Sequence, residues 1–457
     1  MMEKLFEEFS HKTLKQWNDK IISDLKGNSY ENLIWESAEN IKVDPIYNTE
    51  STNKLKGDCT YNHLDWEIEQ SLNNPTNKQI LNCLNKGTSA LLLKDIHNYD
   101  LENLLENVLI QYIQTSFQSK SIKSSLETFI SLIEKRGLEK HSIEGSLHFD
   151  PLMDCLKKGT LNTDLWKNFR LIQEKIIDLK VFKSVNIQGV EYHNAGASIT
   201  QELAFTLAQL SEYFSNAPSL EPNKIQISLG VSTNYFFEIA KFRAIRILWT
   251  QILNAFKKDD TPLYLRAETG LRTSTIFDPH VNMLRTTSQS MSAALGGANI
   301  INTSSFNAAF KNDNDFAQRI ARNTSLILKE ESYFNKVSDP SAGSYYIENL
   351  TNKLSLSAWK LFKEIEANGG WLKAVQSNFI QDKIERNAAK QKQSLESKKT
   401  HLLGTNLFPN LEEKMTSEVE LFIQKNIIIG EDFKAINTNR LSSQIDVERL
   451  KKEENHA

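Results

Sequence analysis

The chain has 457 residues, 40% of them hydrophobic and 24% charged, with a formal net charge of −3. That composition suits a globular protein with a large core and excludes a collagen-like, disordered or strongly basic nucleic-acid-binding chain. The three cysteines, Cys59, Cys83 and Cys155, form no CxxC pair and no zinc spacing. No apolar run approaches the roughly 20 residues of a membrane helix, and the acidic start from Met1 to Phe9 lacks a signal-type apolar region. The expectation is a reduced, cytoplasmic protein that binds no metal and meets neither membrane nor nucleic acid.

Leu14, Trp17, Ile21, Ile22 and Leu25 recur at helical spacing and Gly27 follows as a stop, so the chain opens with a helical arm. Trp35 to Tyr47 reads as extended, and 48–58 as a polar loop. Short apolar runs then recur at Ala90–Ile96, Ile143–Phe149, Val181–Tyr192, Ile225–Val231, Leu263–Ala267 and Ala298–Thr303. Between them lie helical patterns. One carries Leu203, Leu207, Leu210 and Phe214, with Ser198 and Gln201 as a capping box, and another carries Phe237, Ala240, Ala244, Ile247 and Leu248. Alternating strand and helix signals imply a parallel sheet with right-handed crossovers. Without a glycine-rich dinucleotide fingerprint, the pattern favours an α/β fold closed as a (β/α)8 TIM barrel, with two strands still to be found in weaker stretches. Beyond Ser355 charged helices dominate. The expected layout is an arm over 1–47, a barrel over 48–400 and a helical extension over 401–457, with no flavodoxin-like domain.

Function in such a barrel sits on the loops after the strands. The strand ends to watch are His148-Phe149-Asp150, Glu191-Tyr192-His193, Arg266-Ala267-Glu268 and Asn302-Thr303-Ser304. Tyr192 and His193 can stack on and hydrogen-bond to a ligand. Arg266 and Glu268 can pair or hold an anion. The plainer reading makes these satisfied strand ends. No P-loop, GxSxG or HExxH pattern is present. Asp95 to Asp100 imitates a cobalamin-ligating DxHxxG motif around His97, but Asp100 stands where the glycine belongs.

Several longer segments carry a resemblance. Ala195–Ala208 reads AGASITQELAFTLA, and Asn234–Ala244 reads NYFFEIAKFRA, followed by Arg246 and Leu248-Trp249. Asp278-Pro279, Asn282, Arg285-Thr286, Gly296-Gly297, the RIARNT of Arg319–Thr324, and Asp339-Pro340 with Gly343–Glu348 follow in order. Together they resemble the methylmalonyl-CoA mutase family from about residue 140 to 408. The arm, with Leu5–Phe9, Trp17 and Asp24–Gly27, is similar to the start of that family's small subunit. The resemblance implies a barrel that takes acyl-CoA along its axis, capped by a cobalamin domain, and a radical interconversion of methylmalonyl-CoA and succinyl-CoA. The cofactor supplies the hard chemistry and the protein supplies shielding and polar contacts.

The departures fall on the site. Where the family's catalytic chains carry GTIQNDILKE, Gly145–Leu152 puts His148 for the glutamine and Phe149 for the asparagine. Where they carry YHMQEAGA, Tyr192-His193-Asn194 precedes Ala195 two residues short. Either the Tyr-His pair survives on a shorter loop, or His193 and Asn194 stand for the Gln-Glu. Arg266 and Asn302 replace two histidines, and Lys224 and Gln226 replace an arginine and a serine. No counterpart of PWTIRQYAG is found near Trp66–Ile68. A cationic arginine cannot serve as a neutral histidine at the same geometry. The expectation is therefore a non-catalytic chain. Its barrel-mouth positions His148, Phe149, Tyr192, His193, Asn194, Lys224, Gln226, Arg266 and Asn302 are vestigial. It binds no cofactor itself, and its partner is a large catalytic subunit that carries adenosylcobalamin. Two alternatives stay open: an active barrel that borrows cobalamin from a separate subunit, and a CoA-ester-binding or helper module.

Overall fold

The computed structural model describes residues 10, 12–51, 59–96, 100–420 and 427–455. His97 and the Leu5–Phe9 segment lie outside the described residues. The arm helix runs Leu14–Asp24 behind a Thr13–Gln16 capping box and buries none of its residues. The stretch expected to be simply extended folds back as a short antiparallel pair, Trp35–Glu36 with Lys42–Val43. Val43 of this pair, and Ile41 just ahead of it, enter the main core. The Glu39 carboxylate accepts 2.8 Å hydrogen bonds from the Ile199 and Thr200 amides, capping the next long helix from outside.

Among the described residues, seven parallel strands form one curled sheet. They are β1 (Glu67–Asn73), β2 (Ala90–Lys94), β3 (Gln114–Gln118), β4 (Val185–Gln188), β5 (Ile225–Val231), β6 (Tyr264–Thr269) and β7 (Ile300–Asn302). The order across the sheet is β3-β2-β1-β7-β6-β5-β4. The open edges are joined by the chain between β3 and β4. Leu147 bridges Phe117 of β3, and Ser146 bridges Lys183 just ahead of β4, both in parallel sense. The eighth position is thus filled and the sheet closes as a TIM-type barrel.

The two strands that the apolar pattern did not reveal are β1 and β3. Their sequences, Glu-Ile-Glu-Gln-Ser-Leu-Asn and Gln-Thr-Ser-Phe-Gln, are polar on the face that looks into the barrel. A TIM barrel is usually filled by branched apolar side chains. This one is filled by polar groups, so the continuous apolar run that normally flags a strand buried on both faces is absent.

Helices Ile199–Asn216 and Tyr235–Ala255 form where the periodicity placed them, the first behind the Ser198–Gln201 capping box. Tyr345–Ala367 packs across both. Beyond Phe379–Glu396 the described chain runs irregularly over the barrel before the helix Ser443–Asn455. No described helix is long and apolar enough to cross a membrane.

Asp150 ties the closing segment to the barrel. Its carboxylate accepts from the Gln188 amide at the end of β4 (2.8 Å), the Met153 amide (3.1 Å), the Tyr213 hydroxyl (2.7 Å) and the Gln209 side-chain amide (2.6 Å). Burial pushes this carboxyl up to about 7, while the same donors favour its ionised form. Replacing it strands two backbone amides and two side-chain donors in a dry site. We expect Asp150→Ala to cost on the order of 3 kcal/mol in urea unfolding. A loss below about 1 kcal/mol would show that closure does not depend on this residue.

Candidate functional site

The barrel interior is built in layers. At the strand starts, the Gln114 amide reaches the Tyr264 hydroxyl across the axis. In the next layer the Ser146 hydroxyl donates to Ser116 (2.9 Å) and Ser228 to Asn186 (2.7 Å). Between β6, β1 and β7 sits a buried ionic cluster. Arg266 donates from Nε to Glu69 Oε1 at 2.8 Å, from Nη2 to the same carboxylate at 2.5 Å, and from Nη1 to Glu268 at 2.8 Å. Asn302 donates to Glu69 and to Ser71, each at 2.9 Å. Burial opposes the charge on Arg266, yet Glu69 and Glu268 outweigh it and raise the guanidinium above its usual range. Burial likewise opposes ionising Glu268, and Arg266 with Lys94 reverses that and holds the carboxyl below its usual value.

Above this cluster the mouth narrows to a cavity of about 60 Å³, lined by Lys94, His148, Asn186, Glu191, Asn194 and Glu268, among others. Pockets that take drug-sized ligands run from roughly 300 to 1,000 Å³. Burial, with Arg266 and Lys94 adding to it, pushes His148 well below its ordinary value, so the imidazole is neutral. At the rim Lys157 pairs with Glu191 at 2.5 Å.

The structure sorts the candidate residues. His148, Asn194, Arg266 and Asn302 meet in or under the mouth, and Arg266 makes the ion pair with Glu268 that the sequence allowed. Tyr192 and His193 do not face it. Both sit on the short helix Gly189–Ala195, not on a strand end. The Tyr192 hydroxyl is buried in the core, donating to Gln209 and accepting from the Trp371 indole, each at 2.8 Å. The His193 ring lies against Gly230 and Gly270, where an added Cβ would come within 2.6 and 2.2 Å of it. Val190 and Glu191 hold the mouth-facing positions instead. Phe149 turns outward to stack on Phe169 at 6.0 Å. Lys224 lies at the start of β5, away from the mouth, donating to the Leu179 and Lys180 carbonyls. Gln226 is buried within the barrel. Sequence reasoning missed Glu69, the acid that fixes Arg266. The signal available was two glutamates in a stretch that had to become a strand.

Behind the mouth lies a second buried cluster. Lys241 pairs with Glu202 (2.9 Å) and Glu238 (2.6 Å), and Glu202 also accepts from the Gly230 amide at 2.7 Å. Burial pushes the Glu202 carboxyl up to about 7; Lys241 pulls it down and Glu238 raises it.

With this geometry in place, comparison with known proteins gives a consistent answer. The sequence profile of the family described as methylmalonyl-CoA mutase matches residues 95–446. The chain belongs to the methylmalonyl-CoA mutase family. The methylmalonyl-CoA mutase small subunit of Porphyromonas gingivalis is 36% identical over 92% of this chain and 73% of its own length. The methylmalonyl-CoA mutase of Rhizobium meliloti is 30% identical over 87% of this chain and 64% of its own. The methylmalonyl-CoA mutase small subunit of Streptomyces virginiae is 30% identical over 76% and 59%. The chain therefore spans between about three-fifths and three-quarters of these family members' lengths.

Two outcomes follow from the clusters. Removing one member of a buried ion pair leaves the other uncompensated, whereas replacing both by apolar groups is often tolerated. Arg266→Met alone should cost about 3–5 kcal/mol in urea unfolding, and Arg266→Met combined with Glu69→Leu and Glu268→Gln less than half of that. Equal losses in the single and triple variants would show that the cluster's charges are not coupled.

The second outcome is a pH dependence. Glu202 has a folded value raised above its ordinary 4.5. Its contribution is full below that value and is lost as pH rises through about 7. His148 and His193, both lowered, act oppositely, their contribution being full above 6.5 and lost as pH falls from there toward their lowered values. The difference between wild type and Glu202→Gln isolates the carboxyl. Relative to the variant, the wild type should lose stability between pH 5 and pH 8, measured by urea midpoints. A difference that is flat across that interval would show that Glu202 is already ionised at pH 5.

Proposed function

We propose that this chain is a non-catalytic small subunit of an adenosylcobalamin-dependent methylmalonyl-CoA mutase, supporting a large catalytic chain that interconverts methylmalonyl-CoA and succinyl-CoA. The observation that carries the reading is the Arg266–Glu69–Asn302 cluster, buried inside the barrel on three neighbouring strands below a cavity of about 60 Å³. An acyl-pantetheine arm does not fit a cavity of that size floored by a hydrogen-bonded guanidinium. The cofactor fares no better on these residues. An adenosyl group needs several times that volume at the mouth. The groups meeting there are two salt-bridged carboxylates, two ammonium groups and one neutral histidine already enclosed. No catalytic step is assigned to this barrel, and adenosylcobalamin is placed on the partner. The small-subunit names of the Porphyromonas gingivalis and Streptomyces virginiae relatives support the same assignment.

The test is reconstitution. The chain should co-elute with a large methylmalonyl-CoA mutase subunit on size-exclusion chromatography and convert no succinyl-CoA by itself. It should also convert none when supplied with an isolated cobalamin-binding domain and adenosylcobalamin. Turnover in that last mixture would overturn the reading in favour of an active barrel with a borrowed cofactor. Failure to co-elute would favour a separate helper module.

A further inference from the structure

The flank of β1 holds a charge without a counter-charge. Arg322, on the helix Asp315–Leu326, is 7% exposed. Among the described residues its one hydrogen bond runs from Nη1 to the Gln70 side-chain oxygen at 3.1 Å, and its buried Nε has no partner. Among the described residues it pairs with no carboxylate. Burial, with Arg319 adding to it, lowers its affinity for the proton it must nonetheless keep. The other side-chain contacts of Gln70 go to Gln318 (2.9 Å) and Thr88 (3.1 Å), so Gln70 orients the guanidinium without neutralising it.

A buried guanidinium ordinarily meets a carboxylate or a ring of carbonyls. Arg285 and Arg272 in this chain illustrate the second solution, with bonds to the Leu403 and Asn439 carbonyls. Arg322 instead lines a cavity of about 250 Å³ between the helices Asn77–Leu84 and Asp315–Leu326. Arg319 and Lys86 stand on the same cavity, both exposed and neither in an ion pair among the described residues, and Asn82 adds an amide. Among the described residues Asp315 is the one acid on the wall, so the cations outnumber it three to one. Phe316, 56% exposed, supplies an apolar side.

We propose that this cavity binds a phosphate-type oxyanion, with Arg322 as the buried anchor and Arg319 and Lys86 as the rim contacts. The volume falls below the roughly 300 Å³ at which drug-sized pockets begin, which suits a single phosphate group and not a whole cofactor. Two guanidinium forks and one ammonium match the acceptor geometry of a tetrahedral oxyanion. The site lies outside the barrel, on the flank of β1, and is independent of the axis and of the reading given above. The phosphate can be free or carried on an ester whose organic part rests on Phe316.

Calorimetric titration of the full chain with inorganic phosphate and, separately, with adenosine monophosphate tests this at low ionic strength in matched chloride. One saturable site per chain is expected with at least one of the two. Arg319→Gln should weaken binding by roughly tenfold, the usual effect of losing a charge-assisted hydrogen bond, and Lys86→Gln should weaken it several-fold. Both side chains are exposed, so unchanged circular dichroism and urea midpoints will verify that the variants are folded. Tighter binding of the nucleotide, reduced by Phe316→Ala, assigns the ester, and equal or tighter binding of phosphate assigns the free ion. No saturable binding of either up to about 10 mM, tenfold beyond a weak millimolar site, overturns the proposal. So does binding that neither Arg319→Gln nor Lys86→Gln alters.

Discussion

A guanidinium sealed inside a barrel has to find negative charge, and the choice of that charge organises the interior of this protein. Arg266 projects inward from β6 and takes both oxygens of Glu69 on β1, with β7 lying between the two strands. Glu69 in turn receives Asn302 from β7, and Glu268 receives the far side of the guanidinium. Three neighbouring strands are thereby locked in register by side chains as well as by their ladders. The desolvation of these charges is offset only if every donor and acceptor is met at close range. The cluster therefore tolerates little space around it, and the small mouth cavity is a direct consequence. A barrel with a neutral histidine at position 266 could remain open there, whereas one with an arginine must bring in acids and close.

That same cluster explains which parts of the fold could be read from sequence. Strands β2, β5 and β7 were legible because Leu91, Leu93, Ile225, Ile227, Leu229, Ile300 and Ile301 pack into apolar cores. The long helices were legible because of their periodicity, to which Ile199–Asn216 adds a capping box. β1 and β3 were not, because their inward residues serve the polar interior and interrupt the apolar run that marks a buried parallel strand. The mouth was half legible. Arg266 and Asn302 could be placed by their strand ends, while their shared partner Glu69 lies 197 residues from Arg266 in the chain, beyond the reach of any local pattern. Tyr192 and His193 misled because a tyrosine-histidine pair after a strand suggests a ligand. The strand in fact ends at Gln188, and the helical turn that begins at Gly189 rotates both rings into the core.

The family resemblance is strong along segments that lie away from the mouth. The matching segments supply the ties between the barrel and its outer helices. Glu202 of ELA and Lys241 of EIAK meet each other and the Gly230 backbone behind β5. Arg243 of the same segment holds Asp339 and, at 2.6 Å, Glu348, the ends of the later Asp-Pro and Tyr-Tyr-Ile-Glu matches. Arg246 reaches the carbonyl of Gly297 in the Gly-Gly match, and that glycine, at φ +81°, leaves no room for a side chain beneath Tyr61. Asn282 holds Thr275 and Phe306, and Arg285 reaches Leu403. None of these groups lies on the barrel axis. They are buried polar connections whose loss would leave charges unpaired in the core, whatever the barrel does or does not catalyse. The sequence match thus reports a scaffold held by its own electrostatics. The axis, which contributes few residues to those segments, is free to fill without disturbing them.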